Sequence, residues 1–137
     1  MLADSNILVY SLNDDSSKQS LAQKFLQENQ DNLEIAHQNI FETLRILTHP
    51  KLSARMNPIE AIQAMKDILL GYRVISPNDQ TYRITLALMN KYNLASDMIF
   101  DAYLVATALS NGIDTIATDN VRDFKQFIEI KVINPFS

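Results

Sequence analysis

The chain contains no cysteine, which excludes disulfides and thiolate-held metal sites outright. It has two histidines, His37 and His49, too few for a histidine-rich zinc site. Any metal would have to be held mainly by oxygen, and oxygen ligands favour Mg²⁺, Mn²⁺ or Ca²⁺. With only two glycines there is no Gly-rich phosphate loop: neither G-x-G-x-x-G nor G-x-x-x-x-G-K-[ST] occurs. Every apolar stretch is broken by charge well short of the roughly 18 residues that a membrane span needs. Met1-Leu-Ala-Asp4 has neither a basic nor a long apolar region, so a signal peptide is not expected and a cytoplasmic location is. Positive charge is scarce as well. The 12 Lys and Arg against 16 Asp and Glu leave a net charge of −4, which argues against broad nonspecific nucleic-acid binding. A local basic patch beside an acidic site remains compatible with that balance.

What is present suits one globular domain over residues 1–137. That length can bury a core without staples, and 47% apolar with 20% charged residues is not a disordered composition. Met1-Leu-Ala with Ile7-Leu-Val-Tyr10 reads as a first strand, and Ser16 to Glu28 as a helix with Leu21, Phe25 and their neighbours at helical spacing. Leu33 to His37 is a short strand. Gln38 to Thr48 is helical, with Ile40, Phe41, Leu44 and Leu47 on one broad face, and stops before Pro50. Asn57-Pro58 opens a helix with Asn as cap, Pro at the first position and Glu60 three residues on. Tyr72 to Ser76 is a strand. Asp79 to Tyr92 is a helix with Tyr82, Leu86 and Met89 on one face, and Asp101 to Ser110 is another, closed by a left-handed turn at Asn111-Gly112. Asp114 to Thr118 and Ile130 to Ile133 are the last strands, with Val121 to Phe127 a short helix or turn between them. Strands of this length alternating with helices predict an α/β layered fold with a mostly parallel sheet.

Ligands of open α/β sheets bind beyond the carboxyl ends of the strands, so the acids near those ends are the candidates. Asp4, read within the first strand, is costly to bury unless paired, hydrogen-bonded or bound to metal, but it also reads as a surface residue at a frayed terminus. Glu42 is one step from the apolar face of its helix and alone reads as solvent-facing. Asp101, and less strongly Asp97, also reads as a carboxylate at a helix N-terminus. Asp119 with Asn120 also reads as a plain turn, and Asp123 as a first-turn helix carboxylate. Taken together, several carboxylates meeting at one edge would repel each other. Divalent cations remove that penalty, and one or two ions could activate water against a phosphodiester.

The order Asp4-Ser-Asn6, Phe41-Glu42, Phe100-Asp-Ala-Tyr-Leu-Val-Ala-Thr-Ala108, Ile116-Ala-Thr-Asp-Asn120 with Asp123-Phe124, and the ending Val132-Ile-Asn-Pro135 resembles the PIN-domain family, and VapC-type members in particular, along essentially the whole chain. The resemblance implies a three-layer α/β/α PIN-like fold and an acidic pocket for Mg²⁺, with Mn²⁺ as substitute. By the same resemblance the metal-holding and catalytic acids are Asp4, Glu42 and Asp101, with Asp119 and Asp123 sharing the fourth place and Asn120 as a hydrogen-bonding partner. Ser5 and Asn6 would orient Asp4, or would simply cap local backbone. The implied activity is endoribonuclease cleavage as the toxin of a toxin–antitoxin pair, with an RNA substrate, a cognate antitoxin and a homodimer as partners. Arg45, with Lys51 and Arg55, forms the nearest basic cluster to Glu42 and is the candidate RNA contact, or else an ordinary solvated patch.

Two other functions compete. One is a degenerate relative that binds RNA or a partner without cutting, which retention of the acidic set disfavours. The other is a haloacid-dehalogenase-like or response-regulator-like phosphotransfer domain. That chemistry needs a late lysine just after a strand end, and neither Lys125 nor Lys131 is so placed.

Overall fold

Asp4 ends a strand and starts a helix. In the computed structural model, which describes residues 1–137, β1 is only Leu2–Ala3, and α1 begins at once over Ser5–Leu12. The apolar run Ile7 to Tyr10 is therefore helical, not the strand expected from its composition. A short apolar run does not reveal its period, and this one is apolar because it is covered on two sides. Ile7 and Leu8 pack with Ala3, Ile35 and Ala117 of the sheet, while Val9 packs with Leu47 and Ala61 of the outer helices. The switch to helix is made by Asp4 itself, whose extended backbone and side-chain bond to the Ser5 N–H form the N-cap.

The remaining elements follow the expected order. They are α2 (Gln19–Glu28), a single 3-10 turn (Gln30–Asn32), β2 (Glu34–Ala36), α3 (His37–Leu47), α4 (Pro58–Leu69), β3 (Arg73–Ile75), α5 (Thr81–Tyr92), α6 (Met98–Ser110), β4 (Thr115–Ala117), α7 (Val121–Phe124) and β5 (Lys131–Ile133). Asn57 caps α4 by accepting the Glu60 N–H at 2.9 Å. Gly112, at φ 75°, makes the left-handed turn after α6, where a side chain would be strained.

The five strands are all parallel, in the order β3-β2-β1-β4-β5. Strand alternation sends Leu2, Ala36, Ile75 and Ile116 to one face, where Leu88 of α5, Leu104 and Val105 of α6, and Phe124 and Phe127 cover them. Ala3, Ile35 and Ala117 face the other way, toward α1 and α2. This is the three-layer α/β/α arrangement. The order reverses at β1, whose neighbours β2 and β4 lead to opposite edges. The carboxyl ends of β1 and β4 thus form the topological switch point, where open α/β sheets place their ligands.

Two helix faces differ from the sequence reading. On α3 the fully buried positions are Asn39 and Thr43, with Leu47 beside them, while Phe41 is 68% exposed. On α5 the buried stripe is Thr81, Thr85 and Leu88, and Tyr82 and Leu86 point outward. Polar residues occupy these inner stripes because each finds a local acceptor. Thr43 donates to the Asn39 carbonyl at 2.6 Å and Thr85 to the Thr81 carbonyl at 2.8 Å.

Ile116 lies at the centre of the sheet, opposite Leu2 and fully buried. Ile116→Ala should lower stability by about 2–5 kcal/mol through lost contacts and a residual cavity. Urea unfolding would show this as a lower midpoint at unchanged slope.

Candidate metal centre

The Asp4 carboxylate sits at the switch point, 5% exposed. Its Oδ1 accepts the Ser5 N–H at 2.8 Å, and the Asn39 amide approaches the same oxygen at 3.3 Å. Its Oδ2 accepts the Thr118 hydroxyl at 2.7 Å and the Asn6 amide at 3.2 Å. These donors come from α1, α3 and the end of β4, so the chain ends that meet at the switch point all hold one side chain. Burial pushes the Asp4 carboxyl above the usual carboxylate range, the bonds from Thr118 and Ser5 pull against it, and the charge of Glu42 adds to the rise.

Glu42 is brought to Asp4 by Ser5, whose hydroxyl donates to Glu42 Oε2 at 2.9 Å. The same hydroxyl lies 3.4 Å from Asp4 Oδ1. It has one proton, and the shorter contact takes it. Gln38, one helical turn before Glu42, donates to Oε1 at 3.0 Å and to the Phe100 carbonyl at 3.2 Å, tying α3 to the start of α6. Asp101 stands in the first turn of α6, half-buried. Its carboxyl is pushed up to about 6, first by burial and then by the charges of Asp123, Asp4, Glu42 and Asp97. That set of neighbours identifies which acids share the pocket with Asp101.

Asp119 is turned elsewhere. Its Oδ2 accepts Lys18 Nζ at 2.5 Å and the Tyr10 hydroxyl at 2.9 Å, and the Lys18 bond holds its carboxyl below the usual range. The sequence reading gave Asp119 and Asp123 one shared place. The structure brings Asp123 toward Asp101 and engages Asp119 with the α1–α2 region. Asn120 donates to Asp123 Oδ2 at 2.7 Å, and its own N–H donates to Thr118 Oγ1 at 2.9 Å. Asn6 does more than orient Asp4. It also donates to Thr118 Oγ1 at 3.1 Å and accepts the Asp119 N–H at 3.1 Å, which clamps the β4–α7 loop to α1.

Five contributors escaped the sequence reading: Gln38, Asn39, Thr118, Tyr10 and Lys18. Asn39 lies three residues before Glu42, so helical spacing could have placed it on the same side. Thr118 is a hydroxyl at the carboxyl end of a strand, also a usable signal. Lys18 and Tyr10 carry none, being more than a hundred residues from Asp119 in the chain. Of the basic candidates, Arg45 and Lys51 line one cleft together with His49, whereas Arg55 lines a separate one near Asn57 and Glu60.

No three Asp, Glu or His side chains converge on one point at ligating range. An Mg²⁺ or Mn²⁺ ion here would be held by one or two carboxylates and completed by water and substrate oxygens. Each Asp4 oxygen already accepts two hydrogen bonds, so an ion there would take the place of the longer Asn39 or Asn6 contact. Asp101, half-buried and surrounded by like charge, is the group that a hard divalent cation fits.

The raised Asp101 carboxyl has a consequence for stability. Its unfolded value is near 3.8 and its folded value about 6, so ionisation opposes folding increasingly between those pH values and fully above them. Asp101→Asn should therefore stabilise the metal-free protein at neutral pH by on the order of 1 kcal/mol, after allowance for solvent screening. The gain should vanish below the unfolded value. Thermal melts in EDTA at both pH values test this. A variant that melts clearly lower at neutral pH would mark Asp101 as a helix cap instead.

A family model described as "PIN domain" matches residues 1–129. Among solved structures, VapBC2 from Rickettsia felis, bound to a DNA fragment from its promoter, is similar at TM-score 0.73 and 15% identity, covering 97% of this chain and 96% of that one. VapBC from Salmonella typhimurium, also DNA-bound, gives TM-score 0.72 at 16% identity, covering 98% and 96%. The Mycobacterium tuberculosis toxin VapC20, which cleaves the sarcin-ricin loop, gives TM-score 0.69 at 16% identity, covering 94% and 97%. No curated protein matches the sequence. Identities this low speak for the fold alone, but the family model spans nearly the whole chain and includes every acid of the pocket: the chain belongs to the PIN-domain family.

Proposed function

We propose that this protein is a Mg²⁺- or Mn²⁺-dependent endoribonuclease that hydrolyses RNA phosphodiester bonds, and that it is the toxin of a toxin–antitoxin pair. The observation that carries the reading is that Asp4, Glu42, Asp101 and Asp123, from four separate stretches of chain, lie around the sheet's switch point near enough for Asp101 to feel the charge of the other three. Membership of the PIN family supports nuclease chemistry, and the similar VapBC structures support a toxin held by an antitoxin partner. No helix is long and apolar enough to cross a membrane.

Asp4 and Asp101 would hold the ion, with Glu42 and Asp123 beside it. When bound, the ion supplies Lewis acidity toward a phosphodiester oxygen and lowers the pKa of water. The chain's own groups do the positioning. Thr118, Ser5, Asn6 and Asn39 fix the Asp4 carboxylate before any substrate arrives. Glu42, held at both oxygens by Ser5 and Gln38, is placed to accept a proton at Oε1 or Oε2 from an attacking water. Attack by water with cleavage of the P–O3′ bond, the 3′-oxygen leaving and taking up a proton, gives a 5′-phosphate and a 3′-hydroxyl and needs no histidine pair.

A short single-stranded RNA should be cut in Mg²⁺ and left intact in EDTA. Asp4→Asn should lose divalent binding by calorimetry together with cleavage. Thr118→Ala, which removes the strongest bond to Asp4, should lower activity about 10- to 100-fold. Divalent binding equal in wild type and Asp4→Asn would sink the metal assignment. Metal binding without cleavage would favour the degenerate binding module.

The homodimer rests on the family resemblance; the face on which we place it carries the outward Tyr82 and Leu86 of α5, 55% and 58% exposed, two of several exposed apolar side chains. Sedimentation should show a dimer for the wild type and a monomer for Leu86→Glu. A monomeric wild type would remove the homodimer from the reading.

A further inference from the structure

Beyond the acidic pocket, the surface holds a second charged feature of opposite sign. Arg45, His49 and Lys51 line a cleft of about 220 Å³ whose other walls are Ile46 and Leu52. Ile46 and Leu52 also border a neighbouring cleft of about 530 Å³, which extends past Val9 and Tyr10 to Lys18 and Asn6. Asn6 donates to Asp4. These two adjoining clefts, which share Ile46 and Leu52 as walls, form a trench from Asn6, a hydrogen-bonding neighbour of Asp4, to the basic cleft. We propose that the Arg45–His49–Lys51 cleft is a phosphate subsite for a single-stranded RNA that lies along this trench; the proposal rests on the ribonuclease reading and adds the path of the strand.

The charge distribution points this way. The ion pairs of the chain use the N-terminus, Lys18, Lys24 and Lys91, so Arg45 and Lys51, both exposed, are unpaired like seven other Lys and Arg; what sets them apart is that they share one cleft with His49. In the middle of the trench Lys18 is bound to Asp119, and the Asp15 carboxylate accepts the Ser53 hydroxyl. The cation excess is thus at the far end. His49 Nδ1 accepts the Lys51 N–H at 3.1 Å, which leaves the neutral ring's proton on Nε2 as a donor. Arg45 lies in the last turn of α3, where it also complements the helix dipole. The dipole accounts for one cation near the helix end, and not for three donors around one cleft.

The walls select the ligand class. An acidic peptide or a free phosphate would need the cations alone. A nucleotide strand also needs apolar surface for its ribose and base faces, and the part-exposed Ile46, Leu52 and Tyr10 provide it along the trench. A strand cut at Asp4 must continue on at least one side, and this trench begins at Asn6, which bonds the Asp4 carboxylate.

The test measures binding of a short fluorescent single-stranded RNA by anisotropy in EDTA across a salt series, and cleavage kinetics in Mg²⁺. The proteins are wild type, the double variant Arg45→Ala/Lys51→Ala, and Lys66→Ala on α4 as control. The double variant should bind about tenfold more weakly, with a salt slope lower by about 0.7 for each cation removed. Its KM should rise by the same factor at unchanged kcat, and Lys66→Ala should match wild type. Unchanged affinity and slope in the double variant, with wild type still cutting RNA, would overturn the subsite and leave the ribonuclease reading standing. A wild type that neither binds nor cuts RNA would overturn both. If the double variant loses affinity for an acidic peptide but not for RNA, the cleft belongs to a protein partner and the proposal fails.

Discussion

A carboxylate taken out of water destabilises a fold by several kcal/mol unless hydrogen bonds or a counter-charge offset it, and Asp4 is buried at the middle of this molecule. Much of the local architecture follows from meeting that demand. Asp4 caps α1, which turns the chain from β1 into a helix after two strand residues. Asn39 reaches it from α3, Asn6 from α1 and Thr118 from the end of β4. These contacts span sequence separations from one residue to more than a hundred. The same bonds that make Asp4 tolerable in the core therefore fasten the three elements around the switch point to one another.

Like charge is the second constraint. Burial raises the carboxyl of Asp101 first, and the charges of Asp123, Asp4 and Glu42 raise it further. A protein that gathered these acids for stability alone would gain nothing from it, because each added charge opposes folding. Asp119 shows how the chain limits the repulsion. By pairing with Lys18 and Tyr10 it leaves the cluster, and its charge serves to join the β4–α7 loop to the start of α2. Lys18 in turn lies over the rings of Tyr10 and Phe136, so the C-terminal segment is drawn into the same contact.

An acidic pocket in an acidic protein is a poor lure for a polyanion. Unpaired cations must then be local. Arg45, in the last turn of α3, shares that helix with Glu42 and puts both signs of charge on one rigid element, while His49 and Lys51 lie in the turn after it. Acid and base are thus held at a fixed separation along the trench.

How much of this was legible beforehand differs from element to element. The alternation of strands and helices, the caps at Asn57 and Gly112, and the α/β class were readable because they depend on local chemistry and short-range period. Asp4, Glu42 and Asp101 were readable as members of an ordered motif, though nothing local could show that they meet. The run Ile7 to Tyr10 was misread as strand because a helix sandwiched between a sheet and other helices loses the polar face that marks its period. The inner stripes of α3 and α5 were displaced for the complementary reason: Asn39, Thr43, Thr81 and Thr85 are polar yet buried, their bonds being made within the structure. The separation of Asp119 from Asp123 could not be read at all, since it depends on Lys18 arriving from a hundred residues away. The amino-acid sequence by itself determined the periodicity, the caps and the inventory of acids, which are properties of neighbouring residues. Tertiary structure alone decided which acids share a pocket, which one is neutralised, and where the free cations stand, because Coulomb and hydrogen-bond energies depend on distance in space and not on distance along the chain.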